Sequence, residues 1–145
     1  MKVGKADFAR MLDAARLARA RAYAPYSGYR VGAAVITRRG MIFPGANVEN
    51  ATYGATICAE RSAISAMVAA GELHPTACLV LTSDSPPAAP CGICRQVLAE
   101  FARDMEVVLV SELVGKGAPG LTIRRKTLGL RSLLPQAFRF RPQAK

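Results

Sequence analysis

The chain has 145 residues, 51% of them apolar, which is enough for one packed domain and excludes both a disordered chain and two ordinary domains. Its formal charge of +10 is scattered over Arg10, Arg16, Arg19, Arg21, Arg38, Arg39, Arg124, Arg125, Lys126, Arg139, Arg141 and Lys145 with few aromatics between them, which favours a solvated basic surface over a specific nucleic-acid site. No apolar run approaches the ~18 residues that cross a bilayer, and the opening MKVGKADFARML lacks the apolar centre of a secretion signal, so a cytoplasmic location is expected.

Phe8, Met11, Leu12, Ala15, Ala18 and Ala22 recur at helical spacing with Arg10, Asp13 and Arg16 opposite. This predicts an amphipathic helix with Asp7 as its cap, broken by the Ala-Pro-Tyr-Ser-Gly of 24–28. A buried strand follows over 31–37, a hairpin turn over 38–40 and a returning strand over 41–43. Residues 56–70 form a helix that is apolar almost all round, with Ile57, Ala63, Ile64, Met67 and Val68, so it lies at the domain centre or in a subunit interface; Gly71 ends it. A strand over 77–82, a Pro-rich loop over 85–90 and a second buried helix over 91–101 come next. Strands over 107–110 and 121–125 and a helical turn over 130–134 complete the order. Without repeats or linkers, 1–145 reads as a single domain ending in a basic tail at about 139–145. The α/β alternation predicts a single mixed five-stranded sheet with helices on both faces.

Of the four cysteines, Cys78 lies in an apolar run and reads as core. The others stand in Cys58-Ala59-Glu60 and Pro90-Cys91-Gly92-Ile93-Cys94. Zinc takes four ligands, so three thiolates leave one position for water, and a nearby carboxylate that is not a ligand can move that water's protons. Cys91 and Cys94 project from one face of a helix start, and Cys58 lies in the first turn of the other buried helix. Two helix N-termini thus converge on the ion and favour thiolates. Three thiolates leave a net negative charge, which Arg61 is placed to offset by hydrogen bonding to sulfur. The competing reading, a closed structural zinc with His74 as fourth ligand, fits poorly: His74 reads as an exposed loop residue and Cys58 has no ligand at short spacing.

A first ligand followed by x-Glu and then Pro-Cys-x-x-Cys is the general signature of zinc deaminases acting on nucleobases. Further segments narrow it: Tyr23-Ala-Pro-Tyr-Ser27 with Val31-Gly-Ala-Ala34, Gly45-Ala-Asn-Val-Glu-Asn50, Cys58-Ala-Glu-Arg61, Pro90-Cys-Gly-Ile-Cys-Arg-Gln96 and Leu133-Leu-Pro-Gln-Ala-Phe138. Across nearly its whole length the chain resembles the short homotetrameric cytidine deaminases that hold zinc by three cysteines.

The resemblance implies a three-layer α/β/α fold and hydrolysis of cytidine and 2′-deoxycytidine to uridine and 2′-deoxyuridine plus ammonia, in pyrimidine salvage. It implies one Zn2+ per subunit on Cys58, Cys91 and Cys94, and Glu60 as the proton shuttle between the attacking water, N3 of the base and the leaving ammonia. The Ala59 N–H would meet the base carbonyl, and Asn47 and Glu49 the ribose hydroxyls. Tyr29 stands where the family usually has the Phe that stacks on the pyrimidine, and its added hydroxyl needs a partner. Phe138 of a neighbouring subunit would cover the base, with Tyr53 at that interface. The implied partner is a small-molecule nucleoside, with no specific nucleic acid and no membrane. The rivals are a deaminase of another free aminopyrimidine of the blasticidin S type, a nucleic-acid editing module suggested by the charge, and a non-catalytic zinc module.

Overall fold

Alternation along the strands decides which helix meets which face of the sheet. Strand β1 (Gly32–Thr37) sends Ala34 and Ile36 to one side and Ala33 and Val35 to the other. Strand β2 (Ile42–Ala46) returns beside it. Strand β3 (Pro75–Thr82) divides Leu79 and Leu81 from Cys78 and Val80, and strand β4 (Glu106–Val114) divides Val108 and Val110 from Val107 and Leu109. The first set packs on Met11, Leu12 and Ala15 of helix α1 (Lys5–Ala20). The second packs on Ala63, Ile64 and Met67 of helix α2 (Ala59–Ala69) and on Leu98 and Ala99 of helix α3 (Gly92–Phe101). With apolar layers on both faces, the central strands are apolar on both sides. Strand β5 (Leu121–Gly129) and the short helix α4 (Leu130–Leu133) follow. These elements come from a computed structural model that describes residues 2–114 and 120–140. Arg141 and Lys145 of the expected basic tail lie outside the described residues.

The sheet runs in the order β2-β1-β3-β4-β5. Only β3 and β4 pair in parallel; the other neighbours are antiparallel. A parallel pair needs a crossover, and α3 supplies it. The expected mixed five-stranded sheet with helices on both faces is therefore the observed one. Gly32 pairs with both Ala46 and Leu81, so the start of β1 and the ends of β2 and β3 meet at one edge.

Local differences have physical causes. The cap of α1 is Gly4, which has no side chain to offer. Asp7 instead sits inside the first turn, 3.1 Å from Arg10, where a carboxylate still favours the helix dipole. The helix expected over 56–70 begins only at Ala59, after a 3-10 turn at Tyr53–Ala55. Cys58 is its N-cap, with extended backbone, and not part of its first turn; Cys91 caps α3 in the same way. Helix α2 is not at the domain centre, because its outer side, with Ser65, Ala66 and Val68, is exposed. Strand β5 extends to Gly129, beyond the expected 121–125, since its Arg and Lys side chains lie on an exposed sheet edge, where charge is common. Cys78 is fully buried, as expected. Among the described residues no helix is long and apolar enough to cross a membrane.

Helix α2 is seated on β2 by a contact that only glycine permits. A Cβ on Gly45 would lie 2.2 Å from the Ala59 carbonyl oxygen and 2.3 Å from the Ala63 nitrogen. The Ser62 hydroxyl then donates to the Ala46 carbonyl at 2.9 Å. Gly45→Ala should therefore destabilise the fold by about 3 kcal/mol, the upper range for overpacking, read as a fall in melting temperature. Gly54→Ala, where an added Cβ meets nothing within 4 Å, should melt with the parent chain.

Candidate active site

Three connections leave the sheet at the edge where β1 starts and β2 and β3 end, and each delivers part of the site. The connection after β2 leads to Cys58 and α2, and the one after β3 leads to Cys91 and α3. Cys58 and Cys91 cap their helices, and Cys94 lies one turn further in, fully buried. Both helix N-termini face the sulfurs with their unpaired N–H groups.

The Cys58 and Cys91 sulfurs are 3.9 Å apart, and all three lie within 4.8 Å of one another. Tetrahedral zinc with Zn–S bonds of ~2.3 Å separates its sulfurs by roughly 3.8 Å, so the donor set fits that ion. Among the described residues no fourth His, Cys, Asp or Glu joins the group. His74, the single histidine, lines a separate cleft of about 860 Å³ with Arg38 and Arg103, so the closed Cys3His alternative does not form.

Electrostatics also favour a cation here. The Cys94 and Cys91 thiols and the Arg61 guanidinium hold Cys58 well below the usual thiol range. The same Cys58 sulfur, with burial, pushes Cys94 far up. Three crowded thiolates thus need a bound positive charge to coexist. Arg61 donates from Nη2 to the Thr56 carbonyl at 2.6 Å, while its Nε is buried without a hydrogen-bond partner. The orphaned donor leaves one N–H available.

Tyr29, Asn47, Glu49, Ala59 and Glu60 line one cleft of about 280 Å³ together with Cys58 and Cys91. Glu60 is only 5% exposed. Burial pushes its carboxyl above the usual range, and the Cys58 charge adds to this. Ala59 is the first residue of α2, so its N–H has no partner within the helix. Asn47 spends one donor on the Tyr29 carbonyl at 2.8 Å and one lone pair on the Val31 N–H at 2.9 Å, which leaves one of each. Glu49 accepts from the Tyr26 N–H at 2.8 Å, the Ser27 N–H at 3.2 Å and the Ser27 hydroxyl, whose bond holds its carboxyl below the usual range.

The Tyr29 hydroxyl has the partner it needs: it donates to Asp84. Burial, with that acceptor, raises the phenol to about 12, so it stays a donor. Two other expected residues stand apart from the cleft. Phe138 is 71% exposed, and its carbonyl accepts from Gln96 at 2.8 Å. Tyr53, 81% exposed, lines a neighbouring hollow with Tyr26 and Glu49. Val31, Thr56, Val80, Thr82, Ala88 and Ala89 complete the cleft wall and carried no chemical signal in the sequence. Asp84 was also missed; a Tyr where an apolar ring is usual was the one hint that an acceptor lay nearby.

Comparison with known proteins agrees with this geometry. Residues 6–111 match the family model described as the cytidine and deoxycytidylate deaminase zinc-binding region. A cytidine deaminase of Sporosarcina psychrophila is 38% identical over 91% of each chain, and one of Halalkalibacterium halodurans is 40% identical over 83% of this chain and 86% of its own. Among solved structures, cytidine deaminase from Burkholderia pseudomallei superposes with a TM-score of 0.78 at 41% identity, covering 90% of this chain and 98% of that one. The enzyme from Mycobacterium tuberculosis gives 0.70 at 34%, covering 92% and 98%. A zinc-fitting cysteine trio beside a buried carboxylate and a family match over most of the chain lead to one conclusion: the chain belongs to the cytidine and deoxycytidylate deaminase family.

Proposed function

We propose that this protein hydrolyses cytidine and 2′-deoxycytidine to uridine and 2′-deoxyuridine with release of ammonia, in pyrimidine salvage. The observation that carries the proposal is a single cleft lined by the buried Glu60, by Cys58 and Cys91 of the cysteine trio, and by Asn47 and Glu49, whose spare polar groups suit sugar hydroxyls. Cys58, Cys91 and Cys94 would hold zinc, whose Lewis acidity would make a water nucleophilic near neutral pH.

The proton traffic belongs to Glu60. Its raised affinity for a proton suits a group that takes one from water and passes it to N3 of the base, then takes the second from the new C4 hydroxyl and passes it to the departing amine. Water's oxygen bonds to C4, the C4–N4 bond breaks, and ammonia leaves, so the atoms balance without another reactant. The Ala59 N–H holds the base carbonyl. The remaining N–H of Asn47 and the remaining lone pair of Glu49 take ribose hydroxyls, and the Tyr29 ring stacks on the pyrimidine. A carboxylate at the sugar also disfavours a phosphodiester there, which argues for free nucleosides over nucleic acid.

Phe138 and Tyr53 belong, in this reading, to the neighbouring subunit's cleft in a homotetramer. Their exposure, and that of the outer side of α2, supports it. The whole chain acts as one domain, in the cytoplasm, where a reducing environment keeps three ligand thiols available.

Ultraviolet-monitored turnover should give activity on cytidine and deoxycytidine and little on cytosine or blasticidin S; absence of cytidine turnover overturns the assignment. Glu60→Gln should lower kcat by about 10²–10⁴-fold while metal analysis still finds one zinc per chain. Light scattering should give a particle of four chains. Phe138→Ala should raise the cytidine KM by about tenfold, the loss of one base-stacking contact. A monomer with full activity would sink the shared-site reading.

A further inference from the structure

Tyr29 is the point where two walls of the cleft are tied together. Its main-chain N–H donates to the Ser27 hydroxyl at 2.9 Å, and that hydroxyl in turn donates to Glu49. Its carbonyl accepts from Asn47. One residue therefore holds both side chains assigned to the sugar. Its phenol reaches the other way, to Asp84, on the connection between β3 and α3. That connection supplies Ala88, Ala89 and Cys91 to the cleft.

The connection has few other anchors. The Asp84 N–H donates to the Thr82 hydroxyl at 3.3 Å, Ser85 accepts from Arg124 at 3.0 Å, and the Pro90 carbonyl accepts from Arg95 at 2.7 Å. Among the described residues, 86–89 make no hydrogen bond to the body of the fold. Among the described residues, Asp84 is the one of this connection whose side chain hydrogen-bonds Tyr29. The bond is charge-assisted, the stronger kind. Tyr29 is 38% exposed, so what the phenol loses without Asp84 is the charged acceptor that fixes where it points.

We propose that Asp84 is a positioning residue for nucleoside binding: through the Tyr29 hydroxyl it sets the Asn47–Glu49 wall against the connection that carries Cys91. This rests on the cytidine reading above. Asp84 does not line the cleft, so its removal acts on substrate affinity and leaves the proton shuttle and the cysteine trio in place. The pair is also conditional, because Asp84 matters only while residue 29 carries a hydroxyl.

Steady-state kinetics on the zinc-loaded enzyme test this with cytidine and with 2′,3′-dideoxycytidine, which lacks the hydroxyls that Asn47 and Glu49 would hold. Asp84→Ala should raise the cytidine KM by about tenfold, with kcat changed by less than about threefold and zinc content unchanged. Asp84→Asn keeps an acceptor and should restore most of the affinity. The KM rise should largely vanish for the dideoxy substrate. Tyr29→Phe in the Asp84→Ala background should bring KM back towards that of Tyr29→Phe alone, because no hydroxyl is left for Asp84 to hold; the two effects would then be non-additive. Three results overturn the inference while cytidine turnover stands: an unchanged KM in Asp84→Ala, equal effects on both substrates, or kcat and zinc lost together, which marks simple loosening of the connection. A parent enzyme inactive on cytidine overturns the cytidine reading, and this inference with it.

Discussion

The first turn of α2 rests directly on the backbone of β2, with only the hydrogen of Gly45 between them, and the rest of the site is built outward from that contact. Because no side chain separates helix from strand, the Ala59 N–H, the Glu60 carboxylate and the Cys58 sulfur arrive together at the sheet edge. The Ser62–Ala46 bond fixes the rotation of the helix. A half-turn of slippage would aim Glu60 into the apolar core or out to solvent, so this packing detail and the chemistry are the same constraint.

Charge is the second organising quantity. The site gathers acidic groups: three thiols, Glu60 and Glu49. Each is managed differently. Glu49 is half-buried and held below the usual carboxylate range by donors from the 26–27 turn. Glu60 is buried and biased towards its protonated form. The thiols are balanced by two helix ends and Arg61, and completed by a dication. The same residue type, glutamate, is thus pushed in opposite directions: donors from the 26–27 turn lower Glu49, while burial and the Cys58 charge raise Glu60.

The layered α/β architecture and the metal-binding trio were legible because both rest on strong rules: apolar periodicity and the few side chains that bind zinc. The details that escaped were those decided at a distance. Thr56 and Ile57 continue the apolar pattern of α2, yet the backbone turns helical only after Cys58, and cysteine is not a usual cap whose presence would mark the boundary. Arg124, Arg125 and Lys126 weaken the strand signal of β5, although an edge strand tolerates them. Asp84 lies in a Ser- and Pro-rich stretch that reads as ordinary loop; its partner, Tyr29, is 55 positions away, and no local pattern joins them. The close approach at Gly45 is likewise invisible until α2 is placed on β2.

The spacing of the three cysteines also links the metal to the order in which the fold can assemble. Cys91 and Cys94 are neighbours on one helix start, whereas Cys58 is brought to them by the pairing of β1 with β3 and the seating of α2 on β2. A chain short of that stage offers two sulfurs, a far weaker site than three. Zinc affinity is therefore created by the final long-range packing, and by linkage the ion returns its binding free energy to that same packing. The cofactor serves as a latch on the topology, closing only on a correctly folded chain.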